Sequence, residues 1–461
     1  MRRIKITTGQ ADSSWYFSIS YSSVTVVIFI GQFQNVSKNY ISNSSVVYLC
    51  YNGSMSTILA LDIGTEFVKA VLAKPTKKGD LEILGIGKAK QKEGNMYNGA
   101  IADIPAVVAT CEEALTDVEK QAGERAELTV VGVAGELIKG NTTTVNYNRK
   151  NPNKPITESE MQEIIKKVQQ KSGEIAKKTV ALETGNDKVE VRLISSAIVS
   201  LTIDGYKISN PIGFKGSDII IQFYTAFAPL IHVAAIEKVC AELNLDLLTV
   251  AVEPFAVCRA CLGDNLESDF SGIVMDIGGG TTDIAVVDDG GVEGTKMFSI
   301  GGRSFTHQIA ESLGVDFDTA EEYKLQYDTG KLDDRIKAKV ESAISRNLSV
   351  WLTGIEVALE EFENTSSLPR KILLCGGGAS LSLLQETMAL SDWYKTLPFT
   401  RRPVIHLIDV AELPDLIIKP DFELDHSYAT ALGLLRVGVD TLAGAPEEHS
   451  LRAKISKLLQ K

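Results

Sequence analysis

The sequence predicts an α/β protein of two lobes, because one strand–turn–strand pattern with glycine in its turn occurs twice. In the first copy the apolar run 57–61 leads into Asp62-Ile-Gly-Thr65, and a second apolar run, 68–72, follows. Residues 272–287 repeat the pattern through Ile277-Gly-Gly-Gly-Thr-Thr-Asp283. Apolar runs joined by a short glycine-containing turn are typical of β-hairpins. We therefore expect a duplicated core, with one hairpin in each lobe and a cleft between the lobes.

The composition is that of an acidic globular chain. Its 461 residues are 44% hydrophobic, which is enough for several domain-sized cores. The formal net charge of −12 argues against a nucleic-acid surface, which needs clustered Lys and Arg. It does not argue against a nucleotide, because backbone amides and a metal ion can bind a single triphosphate on an acidic protein. The six cysteines show neither a disulfide framework nor a four-ligand zinc spacing, so we expect buried thiols in a reducing cytoplasm.

Residues 1–54 differ in composition from the rest of the chain. After residue 6 their only charged residues are Asp12 and Lys38, among many Ser, Asn and Tyr. The apolar run 24–30 is shorter than the roughly 20 residues that a membrane-spanning helix needs. We interpret the segment as a poorly ordered extension, or as the product of a start codon assigned upstream of the true one at Met55. A targeting signal is the alternative, since basic residues open the chain, but no small-residue cleavage pattern follows the apolar run.

The pattern of predicted elements divides the rest of the chain into an interrupted first lobe, an inserted module and a second lobe. We expect the first lobe over residues 55–140 and 229–262, and an inserted α+β module over residues 141–228. The second lobe is expected over residues 263–440, including its helical part. Residues 441–461 would form a short linker and a terminal helix.

Within these boundaries the periodicity of apolar residues predicts the individual elements. In the inserted module, Thr157 and Glu160 form a capping box that starts a helix. Strands are expected over residues 189–194, 198–203 and 219–224, with a turn between the second and third. Elsewhere the sequence predicts strands over 81–86, 128–133 and 371–375, and helices over 105–118 and 336–362.

Both hairpin turns have the chemistry of a phosphate site. Glycine turns present backbone N–H groups without a Cβ in the way, so they can approach phosphate oxygens closely. Asp62 and Asp276 each precede such a turn at the end of a strand. Two carboxylates facing a triphosphate are suited to Mg²⁺, which keeps most of its waters. Each turn alone is most simply a tight turn, but their repetition in matching strand contexts favours a nucleotide cleft.

Five motifs resemble those of the superfamily of actin, heat-shock chaperones and sugar kinases. Asp62-Ile-Gly-Thr-Glu-Phe-Val-Lys69 and Asp276-Ile-Gly-Gly-Gly-Thr-Thr-Asp283 resemble its two phosphate motifs, and Ile372-Leu-Leu-Cys-Gly-Gly-Gly378 resembles its adenosine motif. Glu253-Pro-Phe-Ala256 and Tyr428-Ala-Thr-Ala-Leu-Gly433 resemble its two connecting helices. The motifs occur in the family's order over about residues 56–440. The resemblance implies an actin-like ATPase fold with duplicated ribonuclease H-like cores.

Within this superfamily the sequence is most similar to the FtsA family of bacterial cell-division proteins. Three segments are typical of that family: Thr281-Thr-Asp-Ile-Ala-Val286, Asn210-Pro-Ile-Gly-Phe-Lys-Gly216 and Ala320-Glu-Glu-Tyr-Lys324. The inserted module also lies where FtsA carries its distinctive subdomain. The resemblance implies an ATP-binding protein with at most slow ATPase activity, which polymerises and tethers the FtsZ ring to the cytoplasmic membrane at the septum.

The same resemblance implies roles for individual residues. Asp62 and Asp276 would position Mg²⁺ through water, and Glu253 would orient an attacking water, although a Glu-Pro pair is also an ordinary helix start. Phosphate contacts would come from Gly64, Thr65, Lys69, Gly278, Gly279, Gly280 and Thr281. The remaining nucleotide contacts would come from Gly301 and Gly302, from Glu321 and Lys324 at the ribose, and from Gly377 and Gly378 at the adenosine.

Two features keep alternatives open. The segment Gly302-Arg-Ser-Phe-Thr306 resembles PilM, the type IV pilus relative, where FtsA usually has a smaller or acidic residue at position 303. A pilus-assembly ATP-binding protein is therefore the near alternative. A metabolic kinase of the same superfamily is the alternative from another class, but the module offers no recognisable substrate pocket. Fast phosphorylation of a small acceptor would identify such a kinase.

The C-terminal residues form a short basic amphipathic pattern. On a helix, four apolar residues would form one stripe: Leu451, Ile455, Leu458 and Leu459. Four cations between them would form a basic face: Arg452, Lys454, Lys457 and Lys461. Basic amphipathic helices lie in anionic membrane surfaces. FtsA-like proteins end in such a helix, so we expect a peripheral membrane anchor, with a solvated tail as the alternative.

Overall fold

The computed structural model describes the chain except residues 1–4, 12–13, 22–23, 31–55, 77, 209, 263–269, 363–366 and 444–461, and over residues 5–30 it describes the backbone. The described residues belong to two compact units, one within residues 1–55 and the other within residues 56–461. The predicted C-terminal helix lies outside the described residues.

The smaller unit contains a three-stranded antiparallel sheet, β1 (Lys5–Ala11), β2 (Ser14–Tyr21) and β3 (Val24–Ile30). This differs from the poorly ordered extension expected from the sequence. The low charge and the many Ser and Asn residues suggested disorder, but Thr, Val, Ile and aromatic residues, which favour strands, are just as frequent in this segment. The interpretations of this segment as a misassigned start or a targeting signal remain predictions.

The larger unit is a mixed α/β structure. Its strands are β4 (Ile58–Ile63), β5 (Phe67–Pro75), β6 (Leu81–Lys90), β7 (Met96–Tyr97), β8 (Ala100–Ile101), β9 (Leu128–Val133), β10 (Lys139–Asn148), β11 (Val191–Ile203), β12 (Tyr206–Lys207), β13 (Asp218–Pro229), β14 (Leu247–Val252), β15 (Gly272–Ile277), β16 (Thr282–Asp288), β17 (Gly291–Phe298), β18 (Lys371–Cys375), β19 (Val404–Leu407) and β20 (Leu416–Ile417). Its helices are α1 (Ile104–Ala122), α2 (Glu158–Thr184), α3 (Leu230–Glu242), α4 (Glu253–Leu262), α5 (Gly302–Leu313), α6 (Phe317–Asp328), α7 (Asp334–Glu360), α8 (Ser382–Leu390) and α9 (Ala429–Ala443).

Two five-stranded arrangements with the same topology form the lobes. The first is ordered β14-β9-β4-β5-β6 and the second β19-β18-β15-β16-β17. In each, the first three strands in sequence form an antiparallel meander, and the next two add in parallel beside the first. The repeated pattern in the sequence therefore corresponds to a repeated sheet. Because β4 and β15 are the central strands of the two sheets, their carboxyl ends carry Asp62 and Asp276 toward equivalent positions.

Local sequence explains where the main helices begin and end. Helix α1 begins after Asp103, whose side chain accepts a hydrogen bond from the backbone N–H of Ala106, and it ends at Gly123 in the left-handed conformation. Helix α2 begins after Thr157, whose hydroxyl accepts from the Glu160 N–H at 3.2 Å. Helix α7 buries Trp351 among the apolar side chains of the second lobe, and its indole N–H donates to the Thr282 hydroxyl at 2.9 Å.

The inserted module consists of β10, α2, β11, β12 and β13, and differs from the prediction in one respect. The two strands expected over residues 189–194 and 198–203 are one long strand, β11, which pairs along β13. Its register shifts between Leu193 and Ser195, and again between Ile198 and Ser200. These irregularities interrupt the alternation of apolar residues, which is why the sequence pattern suggested two strands. Strand β10 also pairs with β17, so the module and the second lobe share a nine-stranded sheet.

The second lobe does not extend to residue 440 as the sequence suggested. Strand β20 pairs with β6 of the first lobe, and α9 packs on the first lobe's sheet. The cause is the apolar face of α9, where Ala431, Leu434 and Leu435 are fully buried in one cluster with residues of β4 and β9. Burial of such a face outweighs the sequence proximity of α9 to the second lobe.

Helices α4 and α9 cross closely between the lobes. A Cβ added at Gly433 of α9 would lie 2.0 Å from the backbone oxygen of Ala256 in α4. The ion pair between Arg259 and Asp440, at 2.8 Å, joins the same two helices. In the described part of the chain, no helix combines the length and apolar character needed to cross a membrane.

Candidate functional site

A cleft of about 360 Å³ lies between the two lobes, where the hairpins β4–β5 and β15–β16 face each other. Most of the site residues expected from the sequence line it: Asp62, Gly64, Thr65, Lys69, Glu253, Asp276, Gly278, Gly279, Thr281, Gly302, Glu321, Lys324, Gly377 and Gly378. Gly280 and Gly301 are the two that do not line it. A Cβ at Gly301 would lie 2.6 Å from the Gly278 oxygen, so Gly301 packs behind the second hairpin. Gly280 is covered by the side chain of Thr65.

The first hairpin brings a carboxylate and a cation together at the floor of the cleft. Asp62 on β4 and Lys69 on β5 are directly opposite each other in the antiparallel ladder. Their side chains form an ion pair with 3.1 Å between Lys69 Nζ and Asp62 Oδ2. Burial opposes the charged form of Lys69, but Asp62, Asp276 and Glu253 outweigh that effect and raise its pKa. Lys69 is therefore a permanent cation in the cleft.

The second hairpin and the glycines behind it approach too closely for any side chain. The Gly278 N–H donates to Thr281 O at 2.9 Å, which closes the turn. At Gly376, which follows β18 with φ of 81°, a Cβ would lie 2.1 Å from Asp276 Oδ1. A Cβ at Gly378 would lie 2.7 Å from Ile277 Cγ2. The absence of side chains at these positions leaves a backbone-lined cradle of the kind that suits phosphate oxygens.

Four carboxyl groups converge on the cleft around Lys69. Asp62, Glu253, Asp276 and Asp283 are all less than a tenth exposed. Burial, together with the negative charge of its neighbours, raises the pKa of Glu253 and of Asp283 well above the ordinary values. Burial also raises the pKa of Asp276, although the Thr430 hydroxyl donates to its Oδ2 and opposes the rise. One lysine cannot neutralise four carboxylates, so the cleft would have an excess of negative charge if all four groups were ionised.

The raised pKa values predict that the cleft carboxyl groups destabilise the nucleotide-free protein increasingly as the pH rises above 4.5. In the folded chain the carboxyl groups of Glu253, Asp276 and Asp283 have raised pKa values. In the unfolded chain the same groups lose their protons at the ordinary pKa values of 3.8 for Asp and 4.5 for Glu. Between those values and the raised ones the folded state binds more protons, so the free energy of unfolding decreases as the pH rises. Denaturant unfolding at several pH values measures this slope.

Asp283→Asn is expected to make the free energy of unfolding depend less on pH, because it removes one of the carboxyl groups with a raised pKa. Asp187→Asn, at an exposed turn residue between α2 and β11, is the matched control and should leave the slope unchanged. An unaltered slope in the Asp283 variant would contradict the assignment of excess charge to the cleft.

The donor set of the cleft fits a hydrated divalent cation. Among the described residues, no three His, Cys, Asp or Glu side chains converge closely enough to hold a bare metal ion. Mg²⁺ usually keeps several waters and needs only one or two carboxylates together with substrate phosphates. The Asp283 Oδ1 atom is buried without a hydrogen-bond partner, which is costly unless water or a cation satisfies it. The buried, unpartnered Asp283 Oδ1 fits an ion held through water by the carboxylates.

The far end of the cleft is lined by α6 and the Gly377-Gly378 turn. Lys324 Nζ lies 2.7 Å from Glu321 Oε2, 2.8 Å from the Thr306 hydroxyl and 3.2 Å from the Gly302 oxygen. Glu321 and Lys324 are one helical turn apart, so both side chains point to the same wall. A polar wall beside a glycine turn is suited to hydroxyl-bearing ligands such as a ribose.

Sequence reasoning missed several residues of the cleft. Asp283 was recognised as part of a motif but not as a site residue, although its position at the start of β16 opposite Asp276 indicates it. Glu66 and Arg303 also line the cleft, and they pair across it with 2.6 Å between Arg303 Nε and Glu66 Oε2. They are 237 positions apart in the chain, so no local pattern connects them.

Comparison with known proteins gives a consistent assignment. A family model described as cell division protein FtsA matches residues 273–433. FtsA of Enterococcus faecalis is 26% identical over 70% of this chain and 74% of its own length, and FtsA of Neisseria meningitidis is 26% identical over 85% of this chain and 92% of its own. A solved chain of the PilM–PilN type IV pilus biogenesis complex is 19% identical, covers 83% of this chain and 98% of its own, and has a TM-score of 0.59.

The fold is that of the actin-like ATPases, which confirms the predicted fold class. It is defined by the duplicated sheets, by the cleft with two facing glycine hairpins and by the structural match. Within that class, the resemblance to the FtsA family of cell-division proteins is confirmed by the family model and by the curated relatives.

Proposed function

We propose that this chain is an ATP-binding, FtsA-type protein that polymerises and tethers the FtsZ ring to the inner face of the cytoplasmic membrane at the division site. The observation that supports ATP binding is the cleft itself, where two glycine hairpins and four buried carboxylates face each other across one lysine. The similarity to FtsA proteins supports the cell-division role.

In this proposal each wall of the cleft binds one part of Mg-ATP. The backbone N–H groups of the two turns and the Lys69 ammonium would bind the phosphates. Asp62 and Asp276 would hold Mg²⁺ through water, and the bound ion would neutralise charge on the phosphates and among the carboxylates. The ribose would lie against Glu321 and Lys324, and the adenine beside the Gly377-Gly378 turn. The remaining proposed nucleotide contacts are Gly64, Thr65, Gly278, Gly279, Gly280, Thr281, Gly301 and Gly302.

Glu253 is the residue proposed to orient water for hydrolysis. It is the first residue of α4 and directly follows the end of β14. It lines the same cavity as Asp62 and Asp276. A general base must be ionised, but burial and three neighbouring carboxylates raise the pKa of Glu253. Bound cations would lower it again. As the resemblance to FtsA implies, we expect at most slow hydrolysis.

Co-sedimentation tests the complete proposal. The protein is mixed with FtsZ and anionic vesicles, with and without Mg-ATP. The proposal requires that FtsZ pellets with the vesicles only when the protein is present, and more so with ATP. Failure of FtsZ to co-sediment would remove the tethering role and leave the nucleotide site to be tested by itself.

Leu458→Glu is expected to reduce binding to anionic vesicles. The predicted tail helix would bury four aliphatic side chains, and each of its basic residues adds about 1 kcal/mol at an anionic surface. A single short helix binds weakly because ordering it and losing translational freedom offset much of this gain. A filament with many tails would bind firmly.

Vesicle flotation with ATP measures the effect, and wild-type binding should also fall with salt. Gln460→Glu, which adds the same charge on the helix face opposite the apolar stripe, is the matched control and should float nearly as well as the wild type. If the Leu458 variant floats as well as the wild type, the tail is not the anchor.

A PilM-like role in type IV pilus assembly is the second candidate. The segment Gly302-Arg-Ser-Phe-Thr306 favours it, because Arg303 departs from the FtsA pattern. PilM forms a complex with PilN. Parallel binding assays with FtsZ and with PilN distinguish the two candidates, because each predicts binding to one of these partners.

A further inference from the structure

The ion pair between Glu66 and Arg303 joins the two lobes at the phosphate end of the cleft. Glu66 is the last residue of the turn of the first hairpin, and Arg303 is the second residue of α5 in the second lobe. Their side chains are only 19% and 14% exposed, and the Nε–Oε2 distance is 2.6 Å. Such shielding strengthens the Coulomb attraction between the two charges, and it also raises the cost of removing them from water.

The backbone holds both partners at the hairpin tips. The Arg303 N–H donates to the Gly279 oxygen at 2.8 Å, which fixes Arg303 to the second hairpin. On the first lobe, the Gln91 N–H donates to the Glu66 oxygen at 2.9 Å. Because each partner is anchored to its own lobe, separation of the lobes must separate the two side chains.

The hairpin tips also touch each other beneath the pair. A Cβ at Gly279 would lie 2.7 Å from the Cβ of Glu66, and a Cβ at Gly280 would lie 2.8 Å from the Thr65 hydroxyl. The two turns therefore pack against each other where only glycine fits. The ion pair and this contact together close the cleft over the place where the turns present their N–H groups.

We propose that Glu66 and Arg303 form a clasp that closes the phosphate end of the cleft and limits the rate at which nucleotide leaves. The proposal rests on the proposed nucleotide site. It assigns a positioning role to Glu66, for which the first phosphate motif predicted none, and to Arg303, which lies outside both motifs. With the clasp closed, the two hairpin turns stay on opposite sides of the phosphates. Nucleotide leaves when the lobes part, and the pair must break in that step.

Stopped-flow measurement of nucleotide release tests the clasp. Protein loaded with Mg²⁺ and a fluorescent ATP analogue is mixed with excess unlabelled ATP, and the dissociation rate is followed. Glu66→Gln and Arg303→Gln should each speed release about tenfold, which corresponds to about 1.4 kcal/mol. The double variant should be no faster than Arg303→Gln alone, because Arg303 is the partner of Glu66 across the cleft.

The matched controls are Lys296→Gln and Glu361→Gln. These residues form an ion pair of the same length, 2.6 Å, but both lie in the second lobe, on β17 and beside the end of α7. They should leave the release rate unchanged. Additive effects of the two clasp substitutions, or no effect, would overturn the clasp. Faster release from Arg303→Gln but slower release from Glu66→Gln would also overturn it, because that result makes Arg303 a direct phosphate ligand.

Hydrogen exchange of the nucleotide-free protein gives a second readout that does not depend on nucleotide. Both single variants should exchange faster than the wild type at the backbone amides of Glu66 and Gly279, which lie where the two hairpin tips touch. If the wild type binds no nucleotide but the variants show faster exchange, the proposed function and the limit on nucleotide release both fail, and only the closure of the cleft by the ion pair stands. If nucleotide binds and neither exchange nor release changes, the clasp fails and the nucleotide site stands.

Discussion

Asp276→Asn is expected to weaken Mg-ATP binding more than tenfold and at the same time to stabilise the nucleotide-free protein. The affinity falls because Asp276 is one of the two carboxylates proposed to hold the hydrated Mg²⁺, and a tenfold loss corresponds to about 1.4 kcal/mol. The free protein gains stability because the substitution removes one buried charge from a cleft with too many of them. Asparagine keeps an oxygen that can accept the hydrogen bond from Thr430.

Calorimetry measures the Mg-ATP affinity, and denaturant unfolding without nucleotide measures the stability. Asp289→Asn, at an exposed turn beyond β16, is the control for removing an acidic charge from the second lobe. Unchanged Mg-ATP affinity in the Asp276 variant would contradict the proposed metal site. Reduced stability without nucleotide would contradict the excess of charge.

Gly433→Ala is expected to destabilise the fold by about 3 kcal/mol, which is large for the addition of a single methyl group. The added Cβ would lie 2.0 Å from the backbone oxygen of Ala256 and 2.3 Å from its carbonyl carbon. Both atoms belong to the backbone of α4, so no side-chain rotation can relieve the overlap. The two connecting helices must separate, and that disturbs the apolar contacts of α9 with the first lobe.

Gly438→Ala is the matched control on the same helix. There the added Cβ would meet Cγ2 atoms of Ile58 and Val130, both at 2.9 Å, and side-chain methyl groups can shift. Thermal and denaturant unfolding of the two variants should therefore show a clearly larger loss at position 433. Equal losses would mean that the helices do not pack backbone to backbone at this point.

The sequence predicted best those parts of the site that are local in the chain. The hairpin turns could be located because glycine, threonine and aspartate stand at fixed offsets from apolar runs. Asp62 and Lys69 are only seven positions apart, and antiparallel pairing alone places them opposite each other. Because these offsets within each hairpin are short, the expected hairpin residues largely line the cleft. Their roles in binding nucleotide stay predictions.

Contacts between distant segments could not be predicted in the same way. The return of α9 to the first lobe depends on which sheet offers a matching apolar surface, and its own pattern shows only that one face is apolar. The pairing of Glu66 with Arg303 requires both lobes to be folded and closed. The single long strand β11 was divided in the prediction because its register shifts break the alternation of apolar residues.

The nine-stranded sheet has a narrow seam where β10 meets β17. Only two positions pair there, Gly140 with Thr295 and Asn141 with Gly294, whereas β10 and β13 pair along their whole length. The Thr142 hydroxyl, which donates to Val292 O at 2.5 Å, and the contact between the Tyr224 and Thr295 hydroxyls at 3.2 Å reinforce the seam. If the module and the second lobe were pulled apart, we expect β10 and β17 to separate first. The strand pairs on either side of them would stay hydrogen-bonded.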